Sequence, residues 1–362
     1  MTLTNLAKAP FPWMGGKSKA ASLVWTLLGD VDHYVEPFFG SGAVLLNRPH
    51  PCNRTYCSET VGDADGMVCN WWRSIQSDPD ATAEAASWPV IEADKTARQI
   101  ALLKWRDDGA LERLAGSAEW CDPKMAGWWA WAVSVQIGAF TGDGPWTVDP
   151  VSGRIFKQDR GDTREPGVSR DLPHLGNNGQ GVNHPGTREP GVGDDPEFHP
   201  VTMPELRRWF GYLAARLRHV RVLHGDWSRL VTTGASKTLS VRQGGVCGVF
   251  LDPPYADTAD RSKGLYAVDS FTVAHDVREW CLAHGDDSDY RVVLAGFDGE
   301  HGTALVDAGW TEHEWFTDGW LTGGMGNTNK AEGHQQHRER LWASPHCLPL
   351  DAGPVSVQES LW

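Results

Sequence analysis

Residues 246–251 read Val-Cys-Gly-Val-Phe-Leu, six in a row without a polar side chain, and Asp252-Pro253-Pro254-Tyr255 follows at once. A strand with one wet face alternates polar and apolar side chains. An unbroken apolar run needs cover on both faces, as in the middle of a parallel sheet. Parallel strands require crossover connections, usually helical, so this one run constrains the chain to an α/β architecture.

The flanking sequence supplies the other parts. The apolar periodicity predicts helices over 20–28, from Ala43, and over 66–76, with strands at 33–36 and 55–58. After residue 203 the same rhythm returns: helix 204–217, strand 220–223, helix 271–284 and strands 290–294 and 338–344. Segments 1–76 and 201–362 therefore read as one Rossmann-like core, interrupted by an insert at 77–200. Its first part is helical, around 81–86, 95–114 and 124–137. From 141 to 200 it turns to Gly, Pro, Asp and Asn with few aliphatic residues, and reads as a long surface excursion. That stretch repeats one hexapeptide, Thr-Arg-Glu-Pro-Gly-Val, at 163–168 and 187–192; two copies are too few for a solenoid.

A dedicated nucleic-acid binder usually shows a basic domain or stripe, so the formal net charge of -14 counts against nucleic acid as a partner, although a basic groove can sit on an acidic protein. Trp is abundant, 19 residues against 6 Tyr, and core packing accounts for most of them. Seven cysteines without a Cys-x-x-Cys pair describe neither a disulfide framework nor a zinc site, and reduced thiols are expected. His334 and His337 read as surface histidines, and no metal is expected. No apolar run approaches ~18 residues and no basic-then-apolar leader opens the chain, so a soluble, cytoplasmic protein is expected.

Three motifs carry chemistry. Glu36-Pro37-Phe38-Phe39-Gly40-Ser41-Gly42 follows a strand, and its glycines permit close backbone approach to a ligand at the carboxyl edge of the sheet. A Gly-x-Gly turn is often only a turn; no Walker pattern accompanies it, so a nucleoside fits better than a triphosphate. Asp63, in Gly62-Asp63-Ala64-Asp65, is placed either to accept ribose hydroxyls or to cap the next helix. Asp252-Pro253-Pro254-Tyr255 combines a carboxylate, carbonyls left available as acceptors and a flat ring. Such acceptors can grip both N–H groups of an exocyclic amine, whose lone pair is otherwise delocalised into its ring.

Phe11-Pro12-Trp13-Met14-Gly15-Gly16-Lys17, the Glu36–Gly42 turn and Asp252-Pro253-Pro254-Tyr255, in this order, resemble the Dam-type (D12 class) DNA adenine-N6 methyltransferases. The order is that of the alpha arrangement, with the target-recognition domain between cofactor and catalytic halves. The resemblance covers roughly 1–76 and 203–345; the insert resembles nothing we can name. It implies a Rossmann-like core binding S-adenosylmethionine, with a mainly helical, loop-rich recognition insert and double-stranded DNA as partner. Implied cofactor contacts are Trp13, Gly16, Lys17, Glu36, Pro37, Phe38, Phe39, Gly40, Gly42, Asp63 and Asp252. Lys17 would face the methionine carboxylate, Asp63 the ribose, and Phe38 and Phe39 the adenine. The family usually has Asn-Asp where this chain has Gly62-Asp63, so Asp65 rivals Asp63 for the ribose. The implied catalytic set is Asp252, Pro253, Pro254 and Tyr255, acting on a base flipped out of the duplex. Arg164, Arg170, Arg188, Arg207 and Arg208 are candidate DNA contacts. Cytosine-N4 methylation needs the same acceptor set, though Ser-Pro-Pro is its more usual signature. A non-catalytic acidic protein that binds or mimics nucleic acid, retaining the fold only, is the rival from another class.

Overall fold

A computed structural model describes residues 9–13, 16–49, 52, 57–88, 92–117, 119–135, 146–148, 155–157, 203–254, 273–301, 303–315 and 339–350. The chain begins with α1 (Ala21–Leu28), β1 (His33–Glu36), α2 (Ala43–Leu46), β2 (Ser58–Asp63) and α3 (Gly66–Ser77). Helices α4 (Pro79–Ala86), α5 (Glu92–Trp105), α6 (Leu111–Gly116) and α7 (Pro123–Val135) follow, then β3 (Trp146–Val148) and β4 (Ile155–Lys157). The second half holds α8 (Met203–Leu217), β5 (Val220–His224), α9 (Thr233–Ser236), α10 (Leu239–Arg242) and β6 (Cys247–Leu251). It ends with α11 (Val273–His284), β7 (Tyr290–Phe297), α12 (Ala304–Asp307), β8 (Thr311–Glu314) and β9 (Glu339–Ala343).

Seven strands form one sheet in the order β5-β2-β1-β6-β7-β9-β8. The first five are mutually parallel, and β9 runs antiparallel to both β7 and β8. This mixed, mostly parallel α/β sheet fits a methyltransferase fold. The apolar run of β6 is buried along its whole length, as its composition demands, and is flanked by β1 and β7. Its side chains alternate between two cores: Phe250 enters the cluster built on α1, α3, α7 and α8, while Cys247, Val249 and Leu251 enter the one with α11.

The second strand departs from expectation. It begins at Ser58, where the predicted strand 55–58 ends, and runs to Asp63. Its second residue is Glu59, a type that propensity keeps out of central strands. The charge is tolerated because Arg48 donates to Glu59 Oε1 at 2.9 Å and Arg216 donates to both oxygens, at 2.6 and 2.9 Å. The predicted helix 95–114 is likewise divided. A π-turn at Arg106–Ala110 separates α5 from α6, with Gly109 at φ 87, a conformation that side chains disfavour. Within the stretch read as pure loop, β3 and β4 pair antiparallel. The polar strand β8 carried no apolar signal. It is held as the sheet edge by Arg340 of β9, which bonds Glu312 and pairs with Glu314, both at 3.1 Å.

Cysteine chemistry also needs one correction. Cys52 and Cys57 form a disulfide, whereas Cys69, Cys121, Cys247, Cys281 and Cys347 are free thiols as expected. The sequence offered no cue, since their spacing is not a recognised motif. Among the described residues no helix is long and apolar enough to cross a membrane.

The buried Arg48–Glu59–Arg216 triad makes a direct test of the β2 assignment. Removing one member of a buried ion pair leaves uncompensated charge and costs about 3–5 kcal/mol. Glu59→Ala should lower the stability to chemical denaturation by that order. A change within about 0.5 kcal/mol, as for ordinary surface substitutions, would place Glu59 outside the strand.

Candidate functional site

Strand order reverses at β1: β2 and β5 lie on one side, β6 and β7 on the other. In open α/β sheets a reversal opens a crevice at the carboxyl ends of the strands, and ligands bind there. The chemistry-bearing motifs of the sequence end at that edge, after β1, β2 and β6.

The glycine turn after β1 is held on every side. The Gly40 N–H donates to Asp63 Oδ2 at 2.8 Å, and Trp72 Nε1 donates to the Gly40 carbonyl at 2.8 Å. Phe39 N–H donates to the Gly62 carbonyl at 2.9 Å. The Trp13 indole covers Gly40 so closely that a Cβ there would lie 2.4 Å from Trp13 Nε1. Gly40 and Gly42 have φ of 45 and 69, and a Cβ on Gly42 would meet Phe39 and Trp72, each at 2.9 Å. Glycine is required at both positions by backbone and by space. Phe39 is buried against Trp72, while the half-buried Phe38 stacks on Trp227 with centroids 6.2 Å apart. Pro37 is buried beneath the turn, and the Gly16 N–H closes a tight turn onto the Trp13 carbonyl before Lys17.

Three carboxylates gather at this edge. Glu36 is buried at the end of β1 and accepts from the Tyr34 hydroxyl at 2.9 Å. Burial pushes its carboxyl well above the usual range, and the neighbouring Asp252 and Asp63 push it further. Asp63, at the end of β2, accepts from the Gly40 and Asp65 N–H groups. It is pushed up to about 7 by burial and then by the charge of Asp65. Asp65 itself caps α3 by accepting from Met67 N–H at 2.8 Å, so the capping role weighed for Asp63 belongs to Asp65. Asp252 sits immediately past β6, and its Oδ1 lies 2.9 Å from Nζ of the buried Lys17. Burial raises the Asp252 carboxyl while Lys17 draws it down. Pro253 is buried and Pro254 half-buried beside it.

The fold thus brings Trp13, Gly16, Lys17, Glu36, Pro37, Phe38, Phe39, Gly40, Gly42, Asp63 and Asp252 to one edge of the sheet. Arg207 and Arg208 stand exposed on α8, with Arg207 3.8 Å from Glu84 of α4. Tyr255, Arg164, Arg170, Arg188 and the repeated hexapeptide lie outside the described residues. Sequence reasoning passed over Gly225-Asp226-Trp227, directly after β5. Gly225 N–H donates to the Asp63 carbonyl at 2.9 Å, Asp226 accepts from Ser228 N–H, and Trp227 is the ring under Phe38. A Gly-Asp pair at a strand's carboxyl end was the available signal.

Carboxylates with raised proton affinity and little counter-charge make an edge that favours a cationic ligand, while their oxygens and the proline carbonyls accept N–H donors. Among the described residues no group of His, Cys, Asp or Glu is arranged to hold a metal ion. Gly40→Ala should strain φ and collide with Trp13, destabilising the chain by about 1–3 kcal/mol. A thermal melt would show it, and an unshifted melting temperature would mean that Trp13 does not rest on the turn.

No curated protein matches the chain. Residues 13–92, which carry Lys17, the glycine turn and Asp63 and stop short of Asp252, match the family model described as D12 class N6 adenine-specific DNA methyltransferase.

Proposed function

We propose that this chain is a site-specific DNA methyltransferase that uses S-adenosylmethionine to methylate the N6 amino group of adenine. The observation that carries the reading is the Lys17–Asp252 contact. It joins the segment matched by the adenine-methyltransferase family model to the Asp-Pro-Pro motif more than two hundred residues away.

The residues fit the cofactor. Its sulfonium and ammonium groups are cations, and Glu36, Asp63 and Asp252 form an edge whose charge they would relieve. Phe38, Phe39 and Trp227 offer apolar cover for an adenine ring, and Asp63 is the acid for the ribose. When bound, S-adenosylmethionine supplies an electrophilic methyl group. The protein's task is to present the nucleophile. Asp252 and the Pro253 carbonyl accept the two N–H groups of the exocyclic amine, turning the nitrogen lone pair out of conjugation. Tyr255 stacks on the base once it has left the duplex, at a cost of a few kcal/mol. Alignment and placed charge supply the rate, without a covalent enzyme intermediate.

The insert 77–200 is the proposed recognition element for double-stranded DNA, with Arg164, Arg170, Arg188, Arg207 and Arg208 reaching phosphates or bases. Adenine is favoured over cytosine N4 because Asp252, not a serine, precedes Pro-Pro.

The test is transfer of labelled methyl groups to mixed-sequence DNA, followed by digestion to nucleosides. Label in N6-methyladenine is the expected result; label in N4-methylcytosine would reassign the base, and none would remove the enzymatic reading. Asp252→Ala should then cut single-turnover transfer on the order of a hundredfold or more, the typical effect of losing one placed electrostatic contact. It should still give the fluorescence of a flipped 2-aminopurine at the target position. A near wild-type rate would reduce Asp-Pro-Pro to a structural turn.

A further inference from the structure

Resemblance assigns Lys17 to the cofactor, but the structure seats its ammonium on Asp252, 2.9 Å from Oδ1. The placement is built in. Gly16 closes the turn before it, the Lys17 carbonyl accepts from Ala21 N–H to start α1, and the side chain is 3% exposed. The ammonium engages one carboxylate oxygen, and the second has lone pairs for an N–H donor. Glu36, at the end of β1, faces Asp252 from the adjacent strand as a buried carboxyl pushed well above the usual range, partly by that neighbour, with the Tyr34 hydroxyl and Asp63 beyond Glu36. From β7, on the other side, Ala295 and Gly296 bring no titratable group.

We propose that Lys17 is a positioning residue that serves methyl transfer through Asp252, holding that side chain as an oriented carboxylate ready to accept from the target amine. The proposal rests on the methyltransferase reading above. Without Lys17, Asp252 keeps the burial that raises its carboxyl and loses the charge that draws it down, and a carboxyl so placed takes up a proton rather than remain charged. A protonated carboxyl has turned one acceptor oxygen into a donor and holds the amine badly. The rate at neutral pH then falls about tenfold for each unit by which the carboxyl's pKa stands above the assay pH. It recovers as the pH is raised and the proton leaves.

The experiment measures single-turnover transfer to cognate DNA from pH 6 to 9.5, with S-adenosylhomocysteine affinity by calorimetry in parallel. It compares wild type, Lys17→Met, Lys17→Gln and Lys17→Arg. We expect Lys17→Met to be slow at pH 7 and to approach wild type in alkali, with its affinity for S-adenosylhomocysteine held within about threefold. Lys17→Arg should restore the wild-type profile, and Lys17→Gln, a second neutral variant, should behave as Lys17→Met does. Loss of affinity with an unchanged pH profile would return Lys17 to the cofactor and overturn the proposal. An unchanged rate and profile in Lys17→Met would make the ion pair structural and overturn it equally. Should Lys17→Met fail to fold, Lys17→Gln decides: an unmoved profile sinks the idea. Absence of transfer by the wild type itself would fail the methyltransferase reading instead.

Discussion

The Gly40 peptide is the point on which the candidate site hangs. Its N–H is taken by Asp63 from β2, its carbonyl by the Trp72 indole from α3, and the space beyond its Cα by Trp13. Each partner comes from a different part of the chain, and each enforces the same tight course after β1. That course leaves Glu36 behind the turn, facing the end of β6 where Asp252 stands. The strand reversal at β1 opens an edge; the saturation of one glycine gives that edge its shape. A ligand here meets a backbone already fixed, so little ordering entropy remains to be lost on binding.

Charge is distributed by the same logic. At the amino-terminal end of β2, Glu59 has two guanidiniums within hydrogen-bond distance, the arrangement expected of a purely structural buried acid. At the carboxyl-terminal edge the support carries less charge: the Tyr34 phenol and the Leu45 backbone for Glu36, backbone N–H groups for Asp63, and the Lys17 ammonium for Asp252. Burial without full compensation is unfavourable, and it is found where the ligand is expected, as functional sites commonly show.

The sequence was most legible where one physical rule acted alone. The apolar run of β6 and the buried four-residue β1 declared themselves, and so did the helices α1, α3, α8 and α11, to within a few residues. The glycine turn and Asp-Pro-Pro were readable because their residue types are poor choices for regular structure. Legibility failed where a distant partner overrode a local rule. β2 was misplaced because Glu59 is made tolerable by Arg48 and Arg216, the latter 157 residues away. β8 was missed because Arg340 holds two glutamates that no local pattern marks as strand. Gly109 marked the break between α5 and α6, but a lone glycine in a helical pattern is usually tolerated. At the site, all three acids were named in advance; that Asp65 rather than Asp63 caps α3, and that Lys17 reaches Asp252, depended on side-chain directions no spacing encodes.

The aromatic core bears on how the helical part of the insert relates to the rest. Phe11 packs edge-on against both Trp71 of α3 and Trp129 of α7, at 5.5 and 4.9 Å, and Trp13 lies 6.2 Å from Trp129. Trp71 continues the chain to Phe210 of α8 at 5.1 Å. Contacts of this kind contribute about 0.5–1.5 kcal/mol each beyond the area they bury. Trp129 is thus a neighbour of the ring that covers Gly40, and α7 shares one apolar cluster with α1, α3 and α8. A segment that buries its rings in the common core cannot open independently of it, since cooperative units follow buried contacts rather than position along the chain. The stretch up to Val135 therefore packs into the same apolar core as α1, α3 and α8, and the ring that covers Gly40 rests beside a tryptophan of α7.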